Sequence, residues 1–157
     1  MSFLDSMAIS GSALTATRLR MDVIAENMAN VSTTRTETGE PYRRKFVVFQ
    51  ERTVHGGSFA SVFNRAREGG LSTFFNRANR SPAGVRVVRI GEDQSEFKLD
   101  YNPTHPDADE DGFVRLPNVE VVQEMVDMMA AVRAYEANIT ALNAFKDMAV
   151  KTLEIGR

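Results

Sequence analysis

The chain has 157 residues, of which 43% are apolar and 25% charged, and its formal charge is −2. That balance argues against general nucleic-acid binding, which needs a basic face. Cysteine is absent, which excludes a disulfide framework, a thiolate metal site and a cysteine nucleophile. Residues Met1 to Gly11 show no basic stretch leading into an apolar run, so no cleavable secretory signal is expected. No window of about 18 apolar residues occurs, so no segment is expected to span a membrane.

Taken in chain order, the first element is an amphipathic helix. Met7, Leu14, Met21 and Met28 recur at intervals of seven, with Ile24 and Val31 on the adjoining seam. Asp5 or Ser6 is the expected cap and Asn30 the approximate end. Residues 31–39 are rich in Ser, Thr and Gly and read as a loop. A proline then precedes strand-forming residues, predicting a strand near 43–52. Residues 55–84 hold five of the ten glycines, and Phe63-Asn-Arg-Ala66 recurs as Phe75-Asn-Arg-Ala78. Two copies of four residues do not make a repeat architecture.

Further strands are expected at 85–90, 96–101 and 113–116, with a loop between the last two holding Pro103, Pro106 and an acidic run. Pro117-Asn118 opens the final helix, about 119–154, with Asn118 as cap and Glu120 and Glu124 near its positive end. Val121, Met125, Met128, Val132, Tyr135, Ile139, Leu142, Ala149 and Leu153 follow a 3-4-3-4 pattern that fails only at Lys146. That helix would be about 50 Å long, too long for a chain of this size to cover its whole stripe. The surplus apolar surface, with Val122, Met129 and Phe145 beside the stripe, points to helices of other subunits.

The expected fold class is therefore α+β. Two long terminal helices, within 1–34 and 117–157, pair as an antiparallel coiled coil. A small β-rich middle domain spans 35–116, with a glycine-rich insertion at about 53–84. Charge is uneven: residues 41–90 hold ten bases and two acids, residues 92–127 eleven acids and two bases. This is read either as compensation within the fold or as head-to-tail complementarity between subunits.

Little in the chain supports catalysis, and none is expected. Catalytic, cofactor-binding and metal residues are all expected to be absent. His55 and His105 have no ligand spacing, and no nucleophile elbow, phosphate loop or dinucleotide fingerprint occurs. Asp107-Ala-Asp109-Glu-Asp111-Gly112 matches the opening of a calcium loop, but position twelve is Asn118 rather than a bidentate glutamate. A calcium-dependent binding module using residues 107–118 is the alternative reading.

The segment from Ser12 to Thr33, with Glu26-Asn27-Met-Ala-Asn30-Val-Ser-Thr33 at its end, resembles the N-terminal signature of bacterial flagellar basal-body rod and hook proteins. Thr36 to Arg44, Tyr101 to Asp109, Pro117 to Met125 and Arg133 to Asn138 are similar to the proximal rod members of that family. The resemblance implies a structural subunit that polymerises through its terminal helices into a hollow shaft, transmitting torque and passing export cargo. It implies termini that order on assembly. It also implies export through the flagellar secretion apparatus to the basal body in the periplasmic space, without a cleaved signal. Expected partners are copies of the chain, other rod proteins, proteins next to the MS ring and the export gate. Neither a nucleic acid nor a cofactor is expected.

On this reading Leu14, Met21, Ile24 and Met28 form the N-terminal part of the subunit interface. Met125, Met128, Val132, Tyr135, Ile139 and Leu142 face them and neighbouring subunits. Asn27, Asn30 and Asn138 bond backbone at helix ends or fix register. Arg43, Arg44, Asp107, Asp109 and Asp111 are the candidate electrostatic contacts.

Overall fold

The computed structural model describes residues 3–54 and 81–155. Most of the glycine-rich stretch, including the Phe-Asn-Arg-Ala pair, lies outside the described residues. Helix α1 (Phe3–Ala29) leads to strands β1 (Lys45–Val54), β2 (Ser81–Glu92), β3 (Lys98–Tyr101) and β4 (Phe113–Leu116), and then to helix α2 (Val121–Ile155). The class is α+β, with two long terminal helices and two small antiparallel sheets between them. At 1.5 Å per residue the helices are about 40 and 52 Å long.

The helices run antiparallel. Arg20 of α1 reaches Asp127 of α2, while Asn27, further along α1, reaches Glu124, earlier on α2. Helix α1 begins at Phe3, so Asp5 falls in the first turn, at the positive end of the helix dipole, rather than at the cap.

Strands β1 and β2 form an antiparallel ladder from Lys45↔Glu92 to Val54↔Ser81, with irregularities after Val48 and after Glu51. The ladder starts two residues later than the sequence suggests. The Arg44 amide is taken by the Asn118 side chain at 2.8 Å. Strand β2 is longer than expected because it follows β1 to its end. It packs against α1 through Ser12, whose hydroxyl accepts the Val85 N–H at 3.1 Å. Gly84 makes this approach possible: with φ of +108°, a Cβ there would sit 2.0 Å from the Ser12 hydroxyl oxygen.

Strands β3 and β4 pair from Lys98↔Leu116 to Tyr101↔Phe113, and the last two rings meet edge to face at 5.3 Å. Phe97, expected inside β3, instead lies under the Arg43 guanidinium, 4.3 Å from ring centre to cation. The buried apolar core is small: Ala16, Val23, Ile24, Tyr42, Val114, Val119 and Ala131. Among the described residues, no helix is long and apolar enough to cross a membrane.

Candidate subunit interface

The burial pattern of α2 separates two sides of one helix. The covered side reads Glu124, Met128, Ala131, Tyr135, Asn138, Leu142, Phe145 and Ala149, alternating steps of four and three. The open side carries Val122, Met125, Val126, Met129, Val132, Ile139 and Val150, all more than a third exposed. The expected stripe and the observed seam share positions 128, 135, 142 and 149. They differ in the other half, where 124, 131, 138 and 145 turn inward instead of 125, 132, 139 and the Lys146 position, and Val121 at the head of the expected stripe is 40% exposed. Sequence reading favoured the bulkier apolar set. In the structure, Ala131 is buried while the larger Val132 is 38% exposed.

A polar clasp closes one end of this seam. Asn27 is 1% exposed and uses its full hydrogen-bonding capacity. Its Nδ2 donates to the Lys45 carbonyl at 2.8 Å and to Glu124 Oε2 at 3.1 Å. Its Oδ1 accepts the Lys45 N–H at 2.9 Å and the Tyr42 hydroxyl at 3.0 Å. Glu124 is fully buried, and its Oε1 accepts the Arg44 Nε–H at 2.6 Å. Arg44 and Arg20 both reach Asp127, at 3.5 and 3.3 Å, and Lys45 pairs with Glu26. Burial, followed by the negative charges of Glu26, Glu124 and Glu92, pushes the Tyr42 phenol up to about 12. The clasp thus ties α1, the start of β1 and the start of α2 at one point.

Asn118 is not the helix cap that the sequence suggested. Its carbonyl oxygen takes the Arg44 amide, and its Nδ2 donates to the Asp93 carbonyl and the Ser95 hydroxyl. Asn30 and Asn138 each donate to the backbone carbonyl four residues earlier. The charge asymmetry is met partly inside the fold, since Arg44 of the basic segment pairs with Glu124 and Asp127 of the acidic one.

Ile24 is buried, and Leu14, Met21 and Met28 are half-buried. Met128, Tyr135 and Leu142 are half-buried on the covered side of α2, whereas Met125, Val132 and Ile139 lie on the open side. In the acidic loop, Asp107 accepts the Thr34 hydroxyl at 2.8 Å, with Arg35 4.0 Å away. Asp109 faces Arg115 at 3.7 Å. Asp111 is exposed. Asp107 and Asp109 turn to different partners, and no group of three metal-ligating side chains forms among the described residues.

Sequence reading singled out Asn27 and Arg44 but not the clasp they form. Tyr42 and Glu124 stood only inside the family-like stretches, and Glu124 in a first helical turn reads as a dipole partner. The available signal was a carboxylate at a seam position, one step from an apolar residue on the same stripe.

A helix pair locked at one end by a polar clasp, with an apolar side left exposed, defines a class of α+β protein built on its two terminal helices. Comparison with known proteins narrows the class. Residues 7–35 match the model described as flagella basal body rod protein, and residues 110–155 the flagellar basal body rod FlgEFG protein C-terminal model. The chain is 47% identical to the flagellar basal-body rod protein FlgC of Bacillus subtilis over 156 residues, 97% of each chain. It is 43% identical to that of Borreliella burgdorferi over 159 residues, 99% of this chain and 98% of the relative. Against that of Escherichia coli O157:H7 it is 39% identical over 157 residues, all of both chains. The chain belongs to the FlgC family of flagellar basal-body rod proteins, and its function is that of a structural rod subunit.

Proposed function

We propose that the chain polymerises through its two terminal helices, residues 1–34 and 117–157, into the hollow proximal rod that transmits torque and passes export cargo. The observation that carries this reading is the open side of α2, where apolar residues from Val122 to Val150 stay exposed along one side. Each such side chain gains roughly 1.5–3 kcal/mol on full burial, which a neighbouring helix supplies and water does not. A repeated heterologous contact that fails to close builds a helical tube. Leu14, Met21, Ile24 and Met28, with Met128, Tyr135 and Leu142, form the seam within a subunit. Met125, Val132 and Ile139 form the edge offered to the next one.

The partners are copies of the chain, other rod proteins, proteins beside the MS ring and the export gate. The proposed route is the flagellar secretion apparatus, without a cleaved signal, to the periplasmic part of the basal body. The chain has no catalytic role.

Ile139→Asp tests the reading. Ile139 is 37% exposed, so the isolated chain keeps wild-type helix content by circular dichroism. Cells carrying the variant fail to swim, and their basal bodies lack the subunit. Normal swimming with normal incorporation removes the open edge of α2 from the interface.

A further inference from the structure

Helix α2 carries two apolar seams that share Met128 and Tyr135 and differ by one step of the helix. The seam turned inward holds Glu124 and Ala131, and the one left outside holds Met125 and Val132. By hydrophobicity alone the helix would rotate to bury Met125 and Val132, because these positions remove more apolar area from water. A fully buried carboxylate at position 124 raises the cost of the observed rotation further unless its charge is met. Arg44 meets it, with Nε 2.6 Å from Oε1, and Asn27 occupies the other oxygen at 3.1 Å. Arg44 is itself fixed from behind, its backbone N–H held by Asn118 and its second nitrogen near Asp127.

We propose that Arg44 is a positioning residue that sets the rotation of α2 about its own axis. By neutralising Glu124 inside the seam, it keeps the edge holding Met125, Val132 and Ile139 facing outward. Buried polar pairs in helical seams are known devices for choosing one register among several of similar apolar content. The role of that outward edge rests on the assembly reading above, but the rotation is a property of the isolated chain. A failure of one is therefore distinguishable from a failure of the other.

The chain contains no cysteine, so a single introduced thiol reports its own position. Ala131→Cys and Val132→Cys are made separately in the full chain, and alkylation rates are read by mass spectrometry. With Arg44 present, the thiol at 132 reacts roughly tenfold or more faster than the one at 131, whose site opens only by local unfolding. Arg44→Met strands the Glu124 charge. The helix then turns that carboxylate to water, and the 132-to-131 rate ratio falls to about one or below. Adding Glu124→Leu to Arg44→Met makes position 124 acceptable in the seam again, and the ratio returns to the wild-type value. An unchanged ratio in Arg44→Met overturns the proposal. So does loss of helix content in both variants, which would make the pair a general stability element, and so does a double variant that fails to regain the ratio.

Discussion

The two ends of α2 are built differently. From Val119 to Ala131, Val119, Glu124 and Ala131 are each at most 2% exposed, and every polar group of Glu124 and Asn27 has a partner within the chain. Beyond Ala131 no residue through Glu154 is fully buried, and Leu153 is 76% exposed. The first end has one side packed within the chain, whereas the distal end has no fully buried residue on any side. Opening free energies within one protein range from near zero to the global value, following buried contacts of this kind. The clasp end therefore holds the subunit's shape, and on the proposed assembly the distal end is the part left for a neighbour. Paired changes at the two ends test this contrast.

The largest effect is expected at Asn27. Replacement by alanine leaves the Lys45 amide and carbonyl, the Tyr42 hydroxyl and one Glu124 oxygen without the bonds that Asn27 supplied. At about 1 kcal/mol per bond, and more for a stranded buried charge, the loss is about 3–5 kcal/mol in urea unfolding of the full chain. Asn138, at the distal end, is the control. It bonds only to the Ala134 carbonyl on its own exposed helix, so Asn138→Ala costs under about 0.5 kcal/mol. Equal costs at the two sites would erase the distinction between the ends.

A smaller effect belongs to Tyr42. Its phenol sits at about 12 in the folded chain against an ordinary value of 10.0. Between those values the unfolded chain has lost the proton that the folded chain keeps, so stability falls as pH rises. The contribution is fully present below pH 10 and is lost as pH rises to about 12, a total of no more than about 3 kcal/mol. Tyrosinate absorbance should show one phenol held up near pH 12, and Tyr42→Phe should remove that late titration. A Tyr42→Phe variant that loses no late titration would show the clasp open to water.

Much of this architecture was legible before the structure. The sevenfold spacing in both terminal segments gives the helix pair, and the alternating residues at 85–90 and 113–116 give strands that the structure contains. The rotation of α2 was not legible. Periodicity scores apolar side chains, and positions 125, 132 and 139 score higher than 124, 131 and 138 because Glu, Ala and Asn carry less apolar area. What decides the rotation is a charge pair between residues 80 positions apart, Arg44 and Glu124. Strand ends shifted for the same kind of reason. Asn118 takes the Arg44 amide and Arg43 takes the Phe97 ring, both long-range contacts that local propensity does not see.

The smallest effect on the isolated chain is expected at the far end of α2. Leu153 is 76% exposed, so the folded subunit gains little by holding it. Leu153→Ser should change urea unfolding of the isolated chain by less than about 0.5 kcal/mol, since the side chain is nearly as hydrated folded as unfolded. The same change should weaken assembly, because there the leucine passes from water into a neighbour's surface and each buried methylene counts for about 0.8 kcal/mol. The two measurements together are sharper than either alone. A loss above about 1 kcal/mol in the isolated chain would mean that the distal end is already packed without neighbours. The contrast between a self-completed clasp and a neighbour-completed end would then fail at its simplest point.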